Sequence, residues 1–393
     1  MKKLPDGWKV AELKNLFDIK KGKKVNIAEN SSNNAIPYIG IGNLRGVPIS
    51  QYTFDNNGLL CEKDDILLVW DGANCGTVGS GLSGFVGSTI ARLRLVDSSA
   101  DTDYVFRFLK SKFEYFNSNT TGATIPHLDK KNVLSLKIPL PPLPTQKKIA
   151  AVLEKAEKLR EWRKEADGLT DEFLKSTFLD LFGDPATNPK GWKVKKINDV
   201  VIEIEAGSCV IGEKRPRKEN EFAVLMVSAV TKGIFLPDEY KVINSSQMLK
   251  KIVTPEKGDL LFSRANTYEL VGATCLIGGD YPYLLLPDKL WKIKPDKSQL
   301  CSEYLKFVLS HAAIRNEISN NASGTSGSML NISMSKLKSI NITIPPIELQ
   351  QKFAHIVHQV EQIREHQTQS GQHIENFFNV LMQRAFRGEL EAK

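Results

Sequence analysis

The chain has 393 residues, 41% of them hydrophobic, a net charge of +8 and five cysteines. That length makes two or three domains, each able to bury a core, and no apolar run reaches the ~20 residues of a membrane span. The opening MKKLPDGWKV has no apolar stretch of the secretory kind, and Cys61, Cys75, Cys209, Cys275 and Cys301 show no CxxC spacing, so a cytoplasmic protein with reduced thiols is expected.

The predicted elements run in a fixed order. GWKVAELKNLFDIKKG (residues 7–22) opens a region of short strands, including DDILLVW and TIARLRLV, which are β-branched and bounded by Gly and Asp. An amphipathic helix is predicted over 104–116, from apolar residues three and four apart. KIPLPPLP then reads as a strand stopped by prolines. Thr145 is expected to cap a helix that starts near Gln146, runs toward Phe182 and breaks near Gly168.

The same order then recurs. GWKVKKINDVVIEIEAG (191–207) repeats the opening, KGDLLFS repeats KDDILLV, a helix over 303–318 repeats 104–116, and ITIPPIELQQKFAHIV repeats IPLPPLPTQKKIAAVL. The offset is 184 residues at the start, 194 in the middle and 204 through the helices, so insertions fall in the globular parts. Two long copies indicate pseudo-twofold symmetry rather than a solenoid. Four segments follow: globules over 1–144 and 184–344, helical spacers over 145–183 and 345–393. Their net charges are +4, +5, 0 and −1, which places the positive charge on the globules, as suits modules facing a polyanion.

The fold class is α+β: two pseudo-symmetric α/β globules separated by two long helices packed as an antiparallel coiled coil. Counting from Ile149, the a/d seam reads Ile149, Val152, Ala156, Leu159, Arg163, Ala166, Thr170 and Phe173. The second seam reads Phe353, Ile356, Val360, Ile363, Gln367, Ser370, Ile374 and Phe377. Both turn polar at the same place. Two basic modules on a stiff spacer suit a polyanion with a fixed repeat, and duplex DNA has one.

Catalytic motifs are missing. GSGLSG fits GxGxxG but precedes a strand-like run rather than a helix, so it reads as a hairpin loop. PDEYK reads as a turn. No P-loop, no Asn/Asp-Pro-Pro-aromatic methyltransferase tetrapeptide and no HExxH occurs, so neither catalytic nor metal residues are assigned.

Reading duplex DNA needs a positioning set and a base-reading set. Lys20, Lys21, Lys23 and Lys24, and Lys214, Arg215, Arg217 and Lys218, are candidates for phosphate contacts because each cluster follows a GWKV unit. Asn43, Arg45, Trp70, Asp71 and Asn74 are base-reading candidates in the first copy; Arg264, Asn266, Thr267 and Tyr268 are theirs in the second. The glycine-rich loops NTTGATIPH and SGTSGSML add Thr121, Thr124, Ser323, Thr325 and Ser326.

These features together resemble the DNA-specificity (S) subunits of Type I restriction–modification systems. The resemblance spans nearly the whole chain and rests on the paired GWKV…G units, GDLLFSR, TGATIPHL…LKIPLPPLPTQKKIAAVL with its counterpart SGSMLNI…INITIPPIELQQKFAHIV, and the linker FGDPATNPKGW. It implies two target-recognition domains, each reading half of a bipartite, asymmetric duplex site. The helices set the gap and dock two modification subunits, and restriction subunits complete the complex. It also implies a chain that is no enzyme and holds no cofactor, with S-adenosylmethionine, ATP and magnesium on the partners. A stand-alone repressor and an enzyme acting on DNA are the other readings.

Overall fold

The computed structural model describes residues 4–29, 35–122, 124–243, 251–324 and 329–390. It divides into two compact units: Met1–Glu165 with Thr368–Lys393, and Ala166–Gln367. Each unit thus joins one globule to parts of both long helices.

In the first unit a four-stranded antiparallel sheet runs in the order Phe17–Lys21, Ile90–Leu95, Ile66–Val69, Val78–Gly79. A second sheet runs Tyr52–Thr53, Ile36–Ile39, Gly84–Val86, Leu60–Cys61, with its two central strands parallel. The strand Ile66–Val69 lies between two cores. Ile66 and Leu68 enter the one that includes Tyr104 and Ile149; Leu67 and Val69 enter the one with Ile39 and Val86. Burial on both faces is why this strand is apolar at every position instead of alternating. The second unit repeats the arrangement with Val201–Ala206, Leu290–Pro295, Leu260–Ser263 and Thr274–Leu276, and with Leu260 and Phe262 on one side, Leu261 on the other. GSGLSG connects the two sheets of the first unit and is not a hairpin: Val78–Gly79 pairs with Ile66–Val69, while Gly84–Val86 pairs with Ile36–Ile39 and Leu60–Cys61.

The paired sequence motifs close each globule. Lys9–Glu12 of the first GWKV unit forms an antiparallel ribbon with Lys137–Leu140, and Lys193–Lys196 of the second forms one with Asn341–Ile344. Each predicted amphipathic helix is two helices: Thr102–Lys110 and Phe113–Ser118, then Ser302–Ser310 and Ala312–Asn321. Tyr104 and Tyr304 hold the first of each pair to its ribbon, donating to the carbonyls of Pro139 (2.7 Å) and Thr343 (2.9 Å).

The long helices span Leu143–Phe182 and Ile347–Phe386, 40 residues each. The first starts before the expected cap. The Pro142 carbonyl accepts from the amides of Thr145 (2.8 Å) and Gln146 (3.1 Å), so Thr145 lies within the first turn, where Pro144 also fits because early amides have no helical partner. The helix continues through Gly168, where a helical glycine costs only about 1 kcal/mol.

The seam is half as expected. Ile149, Ala156 and Phe353, Val360 are buried, but Val152, Leu159, Phe173, Ile363 and Phe377 are exposed; Leu153, Leu174, Val357 and Phe378 are buried instead. Val152–Leu153 and Ile356–Val357 are adjacent apolar pairs, so either spacing makes a stripe, and packing of the helices Thr102–Lys110 and Ser302–Ser310 selects the inner member. Within the first unit Arg160 Nε meets Glu375 at 2.6 Å. Within the second, Arg364 pairs with Asp171, and Gln367 donates to Thr170 Oγ1 at 3.2 Å. Partner numbers fall as the first helix advances, so the pairing is antiparallel. Arg160 and Asp171 correspond to Arg364 and Glu375 at offset 204, so each unit has the same cross-helix ion pair.

A half-buried ion pair ties the first unit to pH. Arg94 donates to both oxygens of Asp65, at 2.9 and 2.7 Å. Burial pushes the Asp65 carboxyl up, but the Arg94 hydrogen bonds outweigh it and hold it below the usual carboxylate range. A depressed carboxylate stabilises the fold above its unfolded value, about 4, and that contribution disappears as pH falls through the lower folded value. Acid unfolding monitored by circular dichroism should therefore show a smaller loss below pH ~4 in Asp65→Asn than in the parent chain.

Candidate nucleic-acid interface

In the first unit the strand register brings several chain segments to one edge. Lys21 lies opposite Ala91 and Val69 opposite Ile90, so the end of Phe17–Lys21 and the exit of Ile66–Val69 stand together at the start of Ile90–Leu95. Gly22 donates to Ile90 O at 2.8 Å, and a Cβ there would meet the Gly87 and Val86 carbonyls at 2.3 Å, so only glycine permits this approach. The exit loop is tied to residues 126–128: Gly72 donates to Pro126 O (2.8 Å), and Leu128 to Trp70 O (2.9 Å). Asn117 Nδ2 fixes the loop from below by donating to Cys75 O at 3.0 Å.

The edge carries Lys21, Trp70, Asp71, Thr121 and His127. Asp71 accepts from His127 Nδ1 at 2.7 Å and also pairs with Lys21. Thr121 lies opposite His127 in a two-residue ladder. Trp70 is partly buried against the core, so its ring is only partly available. Lys20 pairs with Asp18 at 2.8 Å. Lys23, Lys24 and Arg45 have no ion pair among the described residues. Asn43 is occupied: its Oδ1 accepts from Gly40 N (2.8 Å) and its Nδ2 donates to the carbonyls of Val47 and Pro48. Asn74 is half-buried in the exit loop and Thr124 is exposed.

The second unit builds the same edge from different side chains. Arg264 follows Leu260–Ser263, and Arg264 N donates to Lys289 O at 3.0 Å. Its guanidinium is turned onto Asp288, with Nε 2.9 Å from the carbonyl, and lies over the Trp291 ring. Ala265–Asn266 pairs with Leu330–Asn331, and Ser323 bridges Asn331. Asn266 Oδ1 accepts from Thr267 N, and Tyr268 donates to Asn320 at 3.0 Å. Thr325 and Ser326 lie outside the described residues.

The basic cluster 214–218 is not at this edge. Lys214 directly follows the strand Gly212–Glu213, which pairs with Tyr240–Ile243, and Arg217 lies over the Tyr283 ring. Glu221 gathers the cluster: it accepts from both Arg215 terminal nitrogens (2.9 and 3.0 Å) and from Lys218 N. The Arg215 hydrogen bonds hold the Glu221 carboxyl down at about 2. Lys214 and the Lys218 ammonium are exposed, with no ion pair among the described residues. Among those residues no three His, Cys, Asp or Glu side chains gather as metal ligands, and no helix is long and apolar enough to cross a membrane.

The two units, each with a framework of paired sheets and a stitched exit loop, define a duplicated recognition scaffold. The family model for the Type I restriction modification DNA specificity domain matches residues 5–166 and 189–376. The chain belongs to that family. It is 25% identical over its whole length to the MjaVIII specificity subunit of Methanocaldococcus jannaschii, covering 95% of that protein. It is likewise 25% identical to the EcoKI specificity subunit of Escherichia coli K12, covering 91% of it. Its fold matches the S subunit from M. genitalium with a TM-score of 0.62 at 16% identity, covering 98% of this chain and 97% of that one. A chain from a study of complex assembly in the type I R-M system matches with a TM-score of 0.56 at 18% identity, covering 99% and 100%.

Proposed function

We propose that the chain is the non-catalytic specificity subunit of a Type I restriction–modification complex, each globule reading one half of a bipartite duplex DNA site. The observation that carries this is the exit-loop edge. The backbone ties recur in both units, while the side chains they present differ: Asp71 and His127 in one, Arg264 and Asn266 in the other. One frame with two sets of groups fits two modules reading different sequences. Lys23, Lys24, Arg45, Lys214 and Lys218 supply phosphate contacts; Lys20, Lys21 and Arg215 are already matched by carboxylates and contribute less.

Modification subunits dock on the outer faces of the helices. The first unit exposes Val152, Leu159, Trp162, Phe377 and Val380 there, and the second Leu169, Phe173, Leu179 and Ile363. Large apolar side chains in such numbers are costly to leave in water and favour a partner. A free-standing repressor has no use for them. S-adenosylmethionine, ATP and magnesium belong to the partner subunits, as does the chemistry.

The helices set the gap between half-sites. Seven residues inserted after Glu165 and seven after Gln369, where the antiparallel partners face each other, keep the seam in phase and lengthen it by ~10 Å. With base pairs ~3.4 Å apart, the gap in the methylated motif should grow by at most about three base pairs, with both half-sites unchanged. An unaltered gap in a folded variant refutes the spacer role.

A further inference from the structure

Resting on that reading, we propose that His127 is a base-reading residue of the first unit and that Asp71 is the positioning residue that presents the His127 Nε2 as a hydrogen-bond acceptor. The carboxylate of Asp71 can only accept, so the His127 Nδ1 that lies 2.7 Å from its Oδ1 must carry the hydrogen. In the neutral form the imidazole has only that hydrogen, which leaves Nε2 bare. The two side chains differ in access: Asp71 is 13% exposed and His127 48%. The carboxylate is therefore held inside while the imidazole reaches out.

The frame around the pair is rigid. Hydrogen bonds on either side, Gly72 to Pro126 and Leu128 to Trp70, hold the two loops in register. Gly122 has φ of +98°, and a Cβ there would lie 2.5 Å from the Ile125 carbonyl and 3.2 Å from the imidazole, so the loop closes tightly over the ring. Lys21 contacts the other Asp71 oxygen and keeps the carboxylate from turning away. In the major groove a fixed acceptor selects an exocyclic amine, adenine N6 or cytosine N4.

The second unit repeats the frame without the pair. Ile332 donates to Arg264 O at 3.0 Å, as Leu128 does to Trp70 O, so Asn331 takes the place of His127 and Ala265 that of Asp71. Alanine orients nothing, and an asparagine amide offers both a donor and an acceptor. The same backbone position thus reads by different chemistry in the two halves.

The test is the methylated motif of the reconstituted methyltransferase, obtained by sequencing modified DNA. His127→Ala should lose a preference of roughly 10- to 100-fold for an amine-bearing base at one position of the first half-site, with the second half-site unchanged. Asp71→Asn can donate or accept toward His127, so both tautomers form and the preference at that same position should relax without moving elsewhere. Retention of the second half-site shows that each variant is folded. Wild-type preference in both variants, or loss spread over both half-sites, overturns the proposal. If the parent complex shows no two-part motif at all, the DNA-reading assignment itself fails.

Discussion

Phe353→Ala should lower the stability of the second unit by about 3–5 kcal/mol, the usual cost of removing a buried phenylalanine. Phe353 has no exposed surface. Its ring lies 5.6 Å from Phe178, 5.4 Å from Phe182 and 4.9 Å from Phe307, in edge-on arrangements that add to burial. Phe178 and Phe182 belong to the first long helix, Phe307 to the helix Ser302–Ser310 and Phe353 to the second long helix. One substitution therefore loosens three elements at once. Calorimetry should show a lowered transition, and hydrogen exchange should assign the loss to residues 166–367. Equal loss of protection in residues 4–165 would contradict the division of the core.

Gln350→Leu should cost several kcal/mol in the same unit, and Gln146→Leu as much in the first. Gln146 and Gln350 are each fully buried. Gln146 accepts from Asp101 N and donates to the carbonyls of Ser99 and Pro141, all at 2.8 Å. Gln350 accepts from Cys301 N and donates to Gln299 O and Pro345 O, all at 2.9 Å. Each amide thus clasps the start of a long helix to the turn that opens the helix Thr102–Lys110 or Ser302–Ser310. Leucine fills the volume but leaves one buried amide and two carbonyls unmet, at about 1–3 kcal/mol each. A drop in the thermal midpoint of only a degree or two would show that water replaces the clasp.

The glutamines show how far the sequence could be read. Their recurrence at offset 204 was visible beside the prolines, and the register of the long helices followed from it. Their role was not visible, because two of each glutamine's three partners are backbone groups 45 to 51 residues away. The pairing of GWKV with KIPL was hidden for the same reason: ribbon partners lie at opposite ends of a globule. The seam was legible at Ile149, Ala156, Phe353 and Val360. It failed at Val152, where the adjacent Leu153 makes the spacing ambiguous until a third helix packs.

The interface was legible as loops more than as residues. Asn43 has the right chemistry for base reading, but its amide is spent inside its own turn. His127 is a lone histidine between Pro126 and Leu128 and belongs to no motif of its own. A signal existed, since Leu128 and Ile332 match across the repeat while His127 and Asn331 differ.

The division of the chain also dictates an order of synthesis. The second unit is one continuous stretch, Ala166–Gln367, and can fold as soon as it leaves the ribosome. The first is interrupted: Ile149, Leu153 and Ala156 are covered by a core that includes Phe378, Leu381, Met382 and Ala385, which are made more than 200 residues later. At 5–20 residues per second the nascent first globule waits roughly 10 to 40 s with that helix face bare. The unit translated first is therefore completed last, and until then it is the part of the nascent chain most open to chaperone capture.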